Sequence, residues 1–294
     1  MSDVVIVGSI NVDLTIEVPR VPMRGETLPG SDLRRGGGGK GANQAVACAR
    51  LGRTVSMVGA VGDDPDGTWM LELLASEGVD TGAVSRSHRA TGQAVILVEP
   101  DGESTIVISP GANASLSPTN IDAAATLIAS ARCVLAQQEI SAATVERAAE
   151  LANGLFVLNP APSRPLSAGV LGRVDVLVPN RHELAGLLGA RPSEDMETLT
   201  RMAQSLEGPK TVVVTLGAGG ALVVDHRGST HVPAVQVAPL DATAAGDTFC
   251  AALVDALLDE ADVVAATRWA TRAAALAVTR RGAMDSIPHR FELA

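Results

Sequence analysis

Six short apolar runs, at residues 4–7, 55–58, 133–136, 156–158, 174–178 and 212–216, recur along the chain with helical patterns between them. A run of consecutive apolar residues has no polar face, so as a strand it must be covered on both sides, as in a parallel sheet packed between helices. The intervening stretches supply the helices. Residues 67–76 stop at Gly78, 142–152 at Asn153-Gly154 and 195–206 at Gly208, and glycine or asparagine is what takes the left-handed turn past a helix end. The expected fold is α/β, three layers deep, with a mainly parallel central sheet. Two segments break the alternation: residues 12–35, and residues 93–109, where Asp101-Gly102 is expected to turn a hairpin between 94–99 and 104–108. No repeat, low-complexity tract or linker divides the chain, so one domain over 1–294 is expected.

The octapeptide Thr243-Ala244-Ala245-Gly246-Asp247-Thr248-Phe249-Cys250 runs directly into an apolar-periodic stretch, 251–258. Small residues at Ala244, Ala245 and Gly246 let backbone N–H groups converge on an anion at the positive end of a helix. Asp247 then lies in the first turn beside that anion, where it can take the proton of a hydroxyl attacking phosphorus. A plain stabilising aspartate in a first turn is the alternative.

A second anion- or sugar-facing segment is Gly36-Gly37-Gly38-Gly39-Lys40-Gly41-Ala42-Asn43-Gln44-Ala45, a glycine loop feeding a helix that runs to Arg50. It is not a Walker A loop, since Arg34 stands where the first glycine is required and Gly41 follows Lys40. Gly36, Gly38 and Gly41 match G-x-G-x-x-G, yet residues 31–35 are polar and no buried strand leads in, so the dinucleotide reading fails on context. What remains is backbone that can approach a polyhydroxy ligand, with Asn43 offering a donor and an acceptor.

Composition removes other classes. The net charge of −10 opposes a nucleic-acid partner, and two Trp, three Phe and no Tyr leave little to stack on bases. Cys48, Cys133 and Cys250 share no metal-ligand spacing and read as buried thiols in a reducing compartment. The five histidines form no H-E-x-x-H. A strand opens the chain without a basic leader, and no uncharged apolar stretch reaches bilayer length. The expectation is a cytoplasmic protein with neither a membrane nor a nucleic-acid partner.

With these two signatures go Gly8-Ser9-Ile10-Asn11-Val12-Asp13, Leu158-Asn159-Pro160-Ala161-Pro162, Asn180-Arg181-His182-Glu183, the 215–220 turn, and Thr279-Arg280-Arg281-Gly282-Ala283 with Ser286-Ile287-Pro288. Together they make the chain resemble the PfkB carbohydrate kinase family, the ribokinase-type sugar kinases, over nearly its whole length. The resemblance implies a ribokinase-like three-layer α/β/α fold whose two interrupting segments, 12–35 and 93–109, form a small β-sheet lid. It implies ATP-dependent phosphorylation of the primary hydroxyl of a pentose, D-ribose giving ribose 5-phosphate. Kinases of deoxyribose, fructose or adenosine remain alternatives, as does a sugar-sensing protein without turnover.

Residue by residue, the resemblance assigns Asn11, Asp13, Gly39, Lys40, Asn43 and Glu139 to the sugar and Asp247 to its primary hydroxyl. Read alone, Asn11 and Asp13 end a strand, and Glu139 could equally be a solvated loop charge. Asn180 and Glu183 have the spacing of a helix capping box; the resemblance adds a role around phosphate-bound Mg²⁺. Thr215, Gly217, Gly220 and Gly246 are implied contacts of the nucleotide. Thr271, on the adenine side, falls where the family carries a larger polar or ring side chain. Asp241, Thr243, Ala277, Arg280, Gly282 and Ser286 are the implied oxygen donors of an activating K⁺. The lid is implied to pair with a second copy in a homodimer, with Val95, Leu97, Ile106 and Ile108 as apolar residues on its hairpin.

Overall fold

The computed structural model describes residues 2–100 and 104–293; the expected Asp101-Gly102 turn lies outside them. Its strands are β1 (Val4–Val7), β2 (Asn11–Glu17), β3 (Arg34–Gly38), β4 (Val55–Gly62), β5 (Val79–Ser87), β6 (Gly92–Val98), β7 (Ser104–Ser109), β8 (Cys133–Gln137), β9 (Leu155–Asn159), β10 (Val176–Leu177), β11 (Thr211–Thr215), β12 (Ala221–Asp225) and β13 (Gly228–Val232). Nine of them form one sheet in the order β13-β12-β11-β10-β9-β8-β1-β4-β5. Pairing is parallel from β11 through β5, and only β12 and β13 run antiparallel at one edge.

Strand periodicity sends alternate residues to opposite faces. Val4, Ile6, Cys133, Leu135 and Val157 enter a core shared with helices Lys40–Arg50, Ala245–Leu258 and Val263–Ala277. Val5, Val7, Val134, Ala136, Phe156 and Leu158 enter a second core on the other face, with helices Ala142–Leu151 and Met196–Gln204. The apolar runs are therefore the middle layer of three, as their pattern requires.

The second sheet has the order β3-β2-β6-β7. It is mixed: β2 pairs with β6 in parallel, while β3 and β7 run antiparallel to their neighbours. Here one sequence expectation is refined. A strand does lead into the glycine loop, but it is β3, exposed at Arg34 and Arg35 and buried only at Gly37 and Gly38. It belongs to the small sheet and not to the parallel one, which separates the loop from a dinucleotide-binding turn.

From β5 the chain leaves one edge and returns at β8, on the other side of β1. The order of strands thus reverses about β1 and β8, and a crevice opens at their carboxyl ends, where open α/β sheets bind ligands.

Candidate active site

The residues that leave β1 and β8 meet across that crevice. Ser9 Oγ donates to Glu139 Oε2 at 2.5 Å, and the same oxygen accepts the Lys40 amide at 3.2 Å. Gly41 N donates to Ser9 Oγ at 3.3 Å. Glu139 is therefore a brace between the end of β8 and the start of helix Lys40–Arg50, which settles the choice against a solvated loop charge. Close approach demands the glycines here. A Cβ on Gly41 would lie 2.7 Å from Ser9 backbone atoms, and Gly39, at φ 89°, would press one to 2.8 Å from Asn11 N.

Asn11 and Asp13 stand on β2 and are buried. Asn113 holds the first of them: its Nδ2 donates to Asn11 Oδ1 at 2.7 Å while its Oδ1 accepts Ile10 N at 2.9 Å. Asp13 packs against Gly38, where a Cβ would come 2.1 Å from its carboxylate. Burial, then the charges of Glu139 and Asp247, push the Asp13 carboxyl up to about 7.

Asp247 is 5% exposed in the first turn of helix Ala245–Leu258. Asn43 Nδ2 donates to its Oδ2 at 2.9 Å and Gln44 Nε2 to its Oδ1 at 3.0 Å. Asn43 Oδ1 is buried with no partner among the described residues, an acceptor available to a ligand hydroxyl. Ala244, the residue before the helix, has φ 59°. A left-handed residue followed by helical ones turns successive N–H groups toward one point. Ala245 N bonds Ala242 O and Thr248 N bonds Ala244 O, so the amides of Gly246 and Asp247 are the ones left for a ligand. Gly246 is exposed, and a Cβ there meets nothing within 4 Å.

Lys40 is half-buried among carboxylates. Burial pushes its ammonium down, but Asp247, Glu139 and Glu183 outweigh burial and hold it above its ordinary value. The capping box at Asn180 is present, with Glu183 N donating to Asn180 Oδ1 and Asn180 N to Glu183 Oε2, both at 2.8 Å. Glu183 Oε1 has no hydrogen bond among the described residues, and burial raises the carboxyl despite the Asn180 amide and Lys40. A second turn lies beside it: Asn180 bridges to Thr215, and Gly217 and Gly220 of the following turn have φ of 59° and 90°. The Thr271 hydroxyl donates to Arg268 O at 2.8 Å within its own helix, so toward a ligand it can offer its methyl or accept, but not donate, a hydrogen bond.

Asp241 organises the loop before the octapeptide. One carboxylate oxygen accepts Thr243 N and Oγ1 at 2.9 and 2.6 Å, and the other accepts Gly282 N at 2.8 Å. Ser286 Oγ lies 3.5 Å from Thr243 O, and Arg280 N bonds Ala277 O next to Val278, whose carbonyl holds Leu240 and Asp241. The six residues expected around a cation are thus neighbours. No cluster of three or more His, Cys, Asp or Glu suited to a metal occurs among the described residues. A cavity of about 800 Å³ runs from Asp13 along the small sheet to Asp241, Thr243 and Gly282.

A model of the family described as pfkB family carbohydrate kinase matches residues 1–290. The chain belongs to this family. It is a carbohydrate kinase, a phosphotransferase. It is 40% identical over 292 residues to a ribokinase of Haemophilus influenzae, covering 98% of this chain and 95% of that one. It is 36% identical over 293 residues to a deoxyribokinase of Salmonella typhi, covering 97% and 95%. The solved structure of Arabidopsis thaliana ribokinase complexed with ribose and ATP superposes with a TM-score of 0.91 at 32% identity, covering 99% of this kinase and 97% of that chain.

Sequence reasoning missed Ser9, Gln44, Asn113, Gln137 and Asn159 as parts of the site. One signal was available for Gln137, a polar residue directly after the apolar run 133–136, and the structure buries it completely. Among the described residues no helix is long and apolar enough to cross a membrane.

Proposed function

We propose that this kinase transfers the γ-phosphoryl group of ATP to the 5-hydroxyl of D-ribose, giving D-ribose 5-phosphate and ADP. The observation that carries the proposal is the placement of Asp247. Its carboxylate is fixed by Asn43 and Gln44 beside two unpaired amides at a helix N-terminus. Asn11, Asp13, Gly39, Lys40, Asn43 and Glu139 hold the sugar, with the carboxylates accepting from its hydroxyls. Asp247 takes the proton as the 5-oxygen forms its bond to phosphorus, and the bond to the bridging oxygen breaks with its electron pair leaving on ADP. The N–H groups of Gly246 and Asp247, with Lys40, meet the charge that develops on the phosphoryl oxygens, while the expected contribution of Ala245 N is taken up by Ala242 O. Thr215, Gly217, Gly220 and Thr271 border the nucleotide.

Asn180 and Glu183 fit Mg²⁺ held mostly through water, since one Glu183 carboxylate oxygen, close to Lys40, has no hydrogen bond among the described residues. When bound, Mg²⁺ offsets charge on the nucleotide phosphates. The carboxylate of Asp241, the hydroxyls of Thr243 and Ser286 and the backbone carbonyls of Ala277, Arg280 and Gly282 are oxygen donors of the kind that fit K⁺. The small sheet, which borders the cavity through Asp13, Ile96 and Val98, acts as the lid and as the contact of a homodimer.

A second reading, deoxyribose as acceptor, is favoured by the 36% identity to the Salmonella typhi deoxyribokinase. ADP release measured across ribose, deoxyribose, fructose and adenosine separates the two. Asp247→Asn should lower turnover on the order of 10²–10⁴-fold while sugar affinity and melting temperature stay close to wild type. Turnover within a few-fold of wild type removes Asp247 as the base.

A further inference from the structure

We infer that Gln44 is a positioning residue for phosphoryl transfer, its amide locked by Asn159 and Gln137 so that only an N–H can face Asp247. This rests on the reading of Asp247 as the base.

The lock starts at a group that cannot be turned around. The Val178 carbonyl accepts Asn159 Nδ2 at 2.9 Å, so Asn159 must present Oδ1 on its other side. That oxygen lies 3.4 Å from Gln44 Nε2, and the same nitrogen donates to Asp247 Oδ1 at 3.0 Å. Gln44 Oε1 in turn accepts Gln137 Nε2 at 2.6 Å. Reversing the Gln44 amide would set its oxygen against Asn159 Oδ1 and the Asp247 carboxylate at once. The arrangement leaves Gln137 Oε1 buried without a partner among the described residues. It also requires Gly8, because a Cβ there would lie 1.9 Å from that oxygen.

An unpaired buried acceptor is unfavourable. It lies at the far end of the relay, away from the base, while each Asp247 oxygen has a donor. Asn43 holds the other carboxylate oxygen, and its own Oδ1 is buried with no partner among the described residues. Gln44 is fully buried, and both ends of its amide are engaged, by Asp247 and Asn159 on the nitrogen and by Gln137 on the oxygen.

The test is Gln44→Met, which keeps length and removes the donor, together with Gln44→Glu. For Gln44→Met, kcat should fall about 10- to 100-fold, as for a reacting group displaced by about 1 Å, with the sugar Kd within about threefold. For Gln44→Glu, a second carboxylate facing Asp247 makes the pair retain a proton to higher pH, so the acidic limb of kcat should move up by about one pH unit or more. Asp13, Lys40, Glu139 and Glu183, the other charged groups around Asp247, are unchanged in both variants. A merely structural role would lower the melting temperature and leave that limb in place.

Should either variant fail to fold, Asn159→Leu keeps Gln44 and frees its amide to turn. Reduced kcat at unchanged sugar Kd supports the relay, and wild-type kcat overturns it. If Asp247→Asn is inactive while Gln44→Met turns over like wild type, the relay alone is wrong. Turnover by Asp247→Asn would instead remove the base on which it rests.

Discussion

Asp13→Asn should stabilise the sugar-free protein, and more so as pH rises. The carboxyl of Asp13 sits at about 7 in the folded chain against an ordinary 3.8, because burial and then the charges of Glu139 and Asp247 disfavour its ionised form. Above 3.8 the unfolded chain loses this proton while the folded chain keeps it. The folded state therefore binds more protons, and stability falls as pH rises until about 7, above which the loss is complete. At ~1.36 kcal/mol per tenfold change, the separation between 3.8 and about 7 caps the penalty at roughly 4 kcal/mol. Asparagine keeps the shape and cannot ionise. Urea unfolding at pH 5, 6, 7 and 8 should show the variant gaining on wild type by about 2–3 kcal/mol between pH 5 and 8. The same variant should bind sugar about 10- to 100-fold more weakly, the worth of a hydrogen bond to a charged acceptor. A stability difference that stays flat with pH, or that shrinks toward pH 8, would refute the reasoning, because neither burial nor the neighbouring carboxylates would then be acting on Asp13.

Gly246→Ala should fold as wild type, since the added Cβ meets no atom within 4 Å, yet lose about tenfold or more in kcat/KM through crowding of the bound phosphoryl group; paired melting and rate measurements check both halves. Raising KCl at fixed ionic strength, with NaCl as control, should increase kcat, and Asp241→Ala should abolish that response; a flat K⁺ titration of the wild type removes the cation from the Asp241 loop. Val95→Asp with Val107→Asp, which lie opposite each other on β6 and β7 and are both exposed, should convert a dimer to a folded monomer in sedimentation, whereas a wild-type monomer at micromolar concentration would rule the interface out.

The central strands were legible because burial on both faces leaves an unmistakable mark, and β1 was read at its observed bounds, Val4–Val7. The tail of β4 was not, for Gly59 and Gly62 break up the apolar pattern around Ala60 and Val61, and the strand continues there with β5 paired along it. β5, an edge strand of mixed burial, lacks that mark, whereas β12 carries it in the buried run 221–224 and went unread all the same, with its exposed partner β13. The hairpin of residues 94–99 and 104–108 was recovered, yet Val95 faces Val107 and Ile96 faces Ile106. Ile96, Asp13 and Thr15 border the cavity, so Val95 and Ile106 lie on opposite faces, which apolarity alone could not tell.

Within the site, the two signatures located Asp247, Asn43 and Lys40, but not the side chains that fix them. Gln44 and Asp247 are 203 positions apart and Gln137 and Gln44 are 93 apart, separations that no local pattern encodes. The octapeptide shows the limit in both directions. Its lone glycine suggests that the turn needs Gly246, whereas the left-handed residue is Ala244, at φ 59°. An alanine in that region costs on the order of 1–3 kcal/mol, which the Asp241 hydrogen bonds on one side and the buried helix on the other must offset. Gly246 has no such conformation, and its surroundings are open. Its missing side chain therefore serves the ligand and not the fold: strain at Ala244 aims the amides, and bareness at Gly246 lets a phosphoryl group reach them.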